Sequence, residues 1–281
     1  MRFFGQNYDK PGPGVPKDQP RKKGIPRVFE LLVREHREMI KLNLIFALIV
    51  LPSRLLLLLT GLFWGDILSL LFAGLTLLAF IPIGSARTAL MFCITKMLRD
   101  DPGYIGYDFR RTFVSNFRVT VVPGIVHELV FSAQLIILTL ILSDVVEGNL
   151  TAVIFASSAV IFSMIAPYFF LQAGYVELKI LPLLKNSFFL SFMNIPRSFG
   201  GALLGDMLVL AFSALVMLTV LDAVVLIILV FVTVLIGYSI PAFFCLSFIW
   251  PPVDKVFSIE ETLRNRNEEL YSTENTNASE S

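Results

Sequence analysis

Long apolar runs, not amphipathic stripes, dominate the middle of this chain. Segment 40–81 is the first, with charges interrupting its interior at Arg54 and Asp66. A bilayer core takes about 20 apolar residues per helix, so the segment predicts two spans, 40–60 and 66–82, parted near Gly61 and Gly65. Runs 119–143 and 149–172 form the next pair, joined by Asp144, Glu147, Gly148 and Asn149. Run 207–249 carries Asp222 as its only charge and is about twice the length of one span, so it predicts a hairpin turning near Asp222, with spans 199–221 and 223–249. The expected fold is all-α: a polytopic membrane protein of about six transmembrane helices in three hairpins.

The flanks differ in kind. Residues 1–25 are polar and rich in proline, closing on Arg21-Lys22-Lys23, which reads as a disordered basic cytoplasmic arm. Residues 26–258 form the membrane domain, and 259–281 a polar cytoplasmic tail. Val28, Leu31, Leu32 and Glu35 recur at helical spacing between Arg27, Arg34 and Arg37, which predicts an amphipathic interfacial helix over 26–38. The two long connections also read as amphipathic helices on the same side. Phe109, Phe113 and Phe117 share one face in the first, Phe188 and Phe192 in the second. The first apolar run starts too far in, and lacks the small-residue cleavage site, for a signal peptide.

Composition agrees with this pattern. Of 281 residues, 56% are hydrophobic and 16% charged, against about 25% charged in a soluble domain. Mean hydropathy is +0.75. This argues against secreted, disordered and nucleic-acid-binding classes. The two cysteines, Cys93 and Cys245, sit beside apolar runs and imply no disulfide framework or metal cage.

The net charge of +1 becomes informative once mapped. Lys96, Arg99, Arg110, Arg111 and Arg118 fall in one long connection, and Lys179, Lys185 and Arg197 in the other. The connections near 61–66, 144–148 and 222 hold no basic residue. Basic and non-basic loops alternate, so both termini are expected in the cytoplasm. On this reading every basic residue except Arg54 lies on the cytoplasmic side.

Four ionisable residues then remain inside spans: Arg54, His127, Glu128 and Asp206. A strong charge at mid-bilayer costs roughly 2.5–3.5 kcal/mol on insertion scales, so each should find a partner. Glu128 lies roughly 15 Å past Arg118 at the helical rise, near mid-bilayer. Asp206 lies at a similar distance past Arg197, and Arg54 eleven positions past Asn43. The three share one expected depth, which predicts an Arg54–Glu128–Asp206 cluster with His127 beside it. Such a cluster serves either as a polar site or as an ion-pair network that fixes helix packing. An ungapped shift of 78 positions also aligns Asn116 with Asn194, Asp108 with Asn186 and Glu128 with Asp206, a weak sign of repeated hairpins.

Enzymatic motifs are missing. There is no phosphate-binding G-x-x-x-x-G-K-[ST], no H-E-x-x-H and no G-x-S-x-G. The expectation is a non-enzyme with no cofactor and no metal.

The run Pro82-Ile83-Gly84-Ser85-Ala86-Arg87-Thr88-Ala89-Leu90, together with Tyr107-Asp108-Phe109, Phe113 and Asn116-Phe117, resembles the YesL-like family of bacterial membrane proteins. Leu183-Leu184-Lys185-Asn186-Ser187 and Asn194-Ile195-Pro196 extend the likeness, as does the opening Pro11-Gly12-Pro13-Gly14-Val15, and it covers most of residues 5–200. Ser85 departs from it, standing where the family more often has proline. The resemblance implies a bacterial cell-membrane protein with no agreed catalytic residues, whose genes tend to neighbour carbohydrate ABC importers. The chain lacks the E-A-A…G loop by which permease subunits engage their ATPase. The first expectation is therefore an accessory or assembly subunit of carbohydrate (oligosaccharide) ABC import. It would act through a cytoplasmic face that includes Arg110, Arg111, Asn116, Lys185, Asn186 and Asn194, with the lipid bilayer and transporter components as partners. The alternative is a secondary transporter or channel built on the mid-membrane cluster.

Overall fold

The computed structural model describes residues 24–263 and 265, apart from 102, 146–148 and 220–221. The expected basic arm before Gly24, Glu147 and Gly148 of one turn, and the polar tail beyond 265 lie outside the described residues. All regular structure among the described residues is α-helical. A short α1 (Ile25–Arg34) precedes α2 (His36–Leu62). Next, α3 (Ile67–Phe80) passes through Ile81 and Pro82 into α4 (Ile83–Leu98). The longest helix is α5 (Ile105–Leu142), and α6 (Asn149–Tyr175) returns from it. Then come α7 (Ile180–Met193), α8 (Ile195–Leu204) and α9 (Asp206–Leu218), followed by α10 (Ala223–Ile236) and α11 (Ser239–Phe257).

Among the described residues, six stretches are long and apolar enough to cross a membrane: His36–Leu62, Ile67–Leu98, Ile105–Leu142, Leu150–Tyr175, Ile195–Leu218 and Ser239–Phe257. The all-α polytopic architecture expected from the hydropathy pattern is the architecture observed. Its details differ. The region read as an amphipathic first connection divides into two helices of different character: 105–118 keeps a buried face at Phe109 and exposes Arg110 and Arg111, whereas α4 before it does not lie at the surface. Its second half, 105–118, is the beginning of α5 itself. Its first half is α4, which is buried on every side from Ile83 to Met91. Close approach makes this possible. A Cβ on Gly84 would lie 2.2 Å from the Thr120 carbonyl oxygen and 2.7 Å from the Gly124 Cα. The α4 and α5 backbones therefore touch, as small residues permit in membrane helix crossings. The Ser85 hydroxyl donates to the Phe113 carbonyl beside this crossing.

The breaks also fall elsewhere than proline alone suggests. Pro52 and Pro167 lie inside continuous α2 and α6. The chain breaks instead at Pro82, at Gly205 between α8 and α9, and at Gly237–Tyr238 between α10 and α11. The expected span 223–249 is thus two helices. Its turn from α9 does fall at Asp222, whose carboxylate accepts from the Val224 and Val225 amides and caps α10. The two segments that the shift of 78 positions aligns also differ. Asn116 lies within continuous α5, whereas Asn194 lies at the junction of α7 and α8.

The α10–α11 break is closed by a residue from α2. Asn43 is fully buried. Its Nδ2 donates to the Thr233 and Val234 carbonyls, at 2.9 and 2.7 Å. Its Oδ1 accepts from the Tyr238 and Ser239 amides, at 2.8 and 2.7 Å. One side chain thus satisfies three backbone groups that the helix break leaves open, and adds a second donor to the Thr233 carbonyl, which already accepts from the Gly237 amide; no bilayer water would do so. The Asn43→Leu variant is expected to lose about 1–3 kcal/mol for each backbone group left without a partner. Asn116→Leu serves as control, since the Asn116 amide bonds only within its own helix, to Thr112 and Ser115. Thermal unfolding in detergent should show a large fall in Tm for the first and a small change for the second.

Candidate functional site: a buried charge cluster

Every charge expected inside the membrane enters one cluster. Arg54 on α2 donates through Nη2 to Glu128 Oε2 on α5, at 2.6 Å. His127 Nδ1 lies 3.3 Å from Glu128 Oε1, and His127 Nε2 lies 3.6 Å from Asp206 Oδ2. Arg54 and Asp206 do not pair directly, however. The link between the two carboxylates is Arg87 on α4, which was expected on the cytoplasmic side. Arg87 Nη1 donates to Asp206 Oδ1 at 2.7 Å, and its Nη2 stands 3.7 Å from Glu128 Oε1. Arg87 is 8% exposed and Glu128 0%. A sequence signal for this existed: Arg87 is the only charged residue between Asp66 and Lys96.

The local sequence explains the placement. Gly205 ends α8, so Asp206 begins α9, where a carboxylate is favoured by the helix dipole. Gly84 brings α4 against α5, which sets Arg87 between Glu128 and Asp206. Aromatic rings then wall the group off. Arg54 Cζ lies 4.8 Å from the Phe131 ring centre and Arg87 Cζ 5.7 Å from that of Phe170. The His127 ring packs among Phe131, Phe162 and Phe170.

With a neutral imidazole, two guanidiniums offset two carboxylates and the cluster has no net charge. The mid-membrane charge of −1 expected from Arg54, Glu128 and Asp206 alone is corrected to zero by Arg87. Both guanidiniums bear directly on the carboxylates, so the arrangement does not suit a metal cation. A neutral imidazole has a single N–H and serves Glu128 or Asp206, whereas an imidazolium serves both. His127 Nε2 and Asp206 Oδ2 are buried without a hydrogen bond, as are Nε and Nη1 of Arg54 and Nε of Arg87.

Two cavities flank the cluster. One of about 20 Å³, room for roughly one water, is lined by Arg87, Asp206, Phe46, Tyr238 and Cys245 among others. The other, of about 380 Å³, lies between α2, α5, α9 and α10, with Arg54 on its wall. Tyr238, at the α10–α11 break, borders both.

The second expected site does not converge in this way. Arg110, Arg111 and Lys185 are exposed, and Asn186 is half-buried. Asn116 and Asn194 bond to carbonyls one turn back, Thr112 and Leu190. These residues decorate a surface. At the same end, Arg27 and Arg34 of α1 both donate to Asp100, tying α1 to the α4–α5 turn.

Compared with protein-family models, with curated proteins and with solved structures, the chain has no match.

Proposed function

We propose that this protein is a multi-pass accessory or assembly subunit of the bacterial cell membrane, with both termini in the cytoplasm, serving carbohydrate ABC import. The observation that carries the first half of this reading is the closure of the charge cluster. Each charged group meets its opposite within 4 Å, and the void beside Arg87 and Asp206 holds about one water. Such a centre works as a brace between α2, α4, α5 and α9, and leaves no hydrophilic path for a sugar. Association is then the natural mode of action. Exposed Arg110 and Arg111 on α5, and Lys185 with Phe188, Phe189 and Phe192 on α7, supply a basic and aromatic surface for it. The carbohydrate-import class rests on the YesL-like resemblance, and the orientation on the distribution of Lys and Arg.

The test is co-purification of the tagged chain from native membranes. Components of a carbohydrate importer should be recovered, and the Arg110→Ala/Arg111→Ala variant should recover at least several-fold less at equal expression. Recovery of the protein alone, or equal recovery by the variant, would contradict the reading.

A transporter is the second reading. It is favoured by the breaks at Pro82, Gly205 and Gly237–Tyr238 and by the 380 Å³ cavity reaching Arg54, since transporters gather broken helices around mid-membrane sites. Flux into proteoliposomes that depends on Arg54 would establish it.

A further inference from the structure

The cavity beside Arg54 is unlike the rest of the lipid-facing surface. It is about 380 Å³ in volume and lies between four helices, a size at the lower end of small-molecule sites. Its walls include Leu51, Leu58, Leu135, Val216 and Leu226, and Arg54 is the only charged residue on them among the described residues. The α9–α10 pair leaves the space open, because α10 has no buried residue. Arg54 reaches Glu128 with Nη2, while Nε and Nη1 are buried without a hydrogen bond. An arginine offers five donors, so a second carboxylate can share this guanidinium with Glu128 once the side chain turns toward the cavity.

We propose that the cavity binds an apolar organic acid. Its carboxylate pairs with Arg54, its hydrocarbon body lies against the leucines and valines, and one proton is taken up at His127 as it binds. An uncharged acyl chain fits the walls but leaves the guanidinium donors unanswered. A cation is repelled by Arg54. A sugar has too many hydroxyls for walls of this composition. An organic anion answers both the walls and the charge.

The proton follows from charge balance. The empty cluster is neutral, so an added carboxylate brings it to −1 in a low-dielectric setting, where an uncompensated charge is costly. His127 is the group placed to correct this. It faces Glu128 from its own helix and Asp206 from α9, with Arg87 of α4 and Arg54 of α2 acting through these carboxylates. From α6 it meets only the rings of Phe162 and Phe170. Tyr238 and Cys245 border the small cavity beside Asp206. Of the bonds open to His127, the Nε2–Oδ2 approach to Asp206 is the one an added proton completes. Anion and proton binding therefore favour one another. The site is independent of the accessory role: its ligand acts as an effector of a subunit or as cargo of a transporter.

The experiment uses the full chain in phosphatidylcholine nanodiscs and radiolabelled octanoate as probe. Saturable octanoate binding is expected, displaced by unlabelled octanoate and not by octanol or octylamine at equal concentration. Binding should tighten at least threefold between pH 8 and pH 6, and His127→Gln should remove that dependence. Val216→Trp fills the cavity without touching the cluster and should weaken binding at least tenfold. Arg54→Gln/Glu128→Gln removes the ion pair as a unit, so neither charge is stranded, and should abolish binding while the protein stays monodisperse. Displacement by octanol as effective as by octanoate would show acyl-chain occupancy only and overturn the proposal. Full binding by either variant, or pH-independent binding by the unmodified protein, would overturn it too. None of these outcomes bears on co-purification with an importer, so the two readings fail separately.

Discussion

Arg87→Met is expected to abolish recovery of folded protein from membranes. Arg87 is the one cation that approaches both carboxylates, at 2.7 Å from Asp206 and 3.7 Å from Glu128. Methionine fills similar space but leaves Asp206 with no guanidinium, buried at 8% exposure. Removing one partner of a buried pair costs about 3–5 kcal/mol, because the other charge is stranded. That is a large fraction of the roughly 5–15 kcal/mol by which a domain is stable. Arg54→Met should be milder. It frees Glu128, which retains His127 and the more distant Arg87. Fluorescence-detected size-exclusion of the two variants checks the order: no monodisperse peak for Arg87→Met, a reduced but present peak for Arg54→Met.

The second large effect is expected at the α4–α5 crossing. In Gly84→Val the new Cβ would stand 2.2 Å from the Thr120 carbonyl oxygen, and in Gly124→Val 2.5 Å from the Gly84 Cα. These neighbours are backbone atoms of long helices and cannot rotate aside. The helices must separate, and Arg87 then moves away from Glu128 and Asp206 as well. The loss should exceed the 1–3 kcal/mol usual for overpacking. Gly74→Val is the control, since a Cβ there meets nothing within 4 Å. Expression and thermal stability should collapse for the two crossing variants and be nearly unchanged for the control.

These effects mark where sequence reasoning stopped. Arg54, His127, Glu128 and Asp206 stood out because charge inside an apolar run has no neutral explanation, and equal spacing from the helix entries placed three of them at one depth. Arg87 was hidden by its neighbours. Pro82, Gly84 and Ser85 before it, and Lys96 and Arg99 after it, made the segment resemble a basic connection. Only its isolation between Asp66 and Lys96 distinguished it. The Gly84–Gly124 contact joins residues forty positions apart, and no local pattern announces it. The α10–α11 break has its cause in Asn43, nearly two hundred positions away, so hydropathy reads 223–249 as one span. Helix count and polarity are local properties of a membrane chain. Breaks and close crossings are tertiary.

The central claim is that Arg87 and Asp206 hold each other inside the membrane domain. A double-mutant cycle tests it most directly, with Arg87→Gln, Asp206→Asn and the combined variant compared by thermal unfolding in detergent. Gln and Asn keep shape and hydrogen bonding while removing charge. The structure predicts that each single variant loses stability by stranding its partner's charge, and that the double variant loses less than the sum of the two, with a coupling of about 1–3 kcal/mol. Losses that simply add in the double variant would contradict a direct pair and with it the closed cluster.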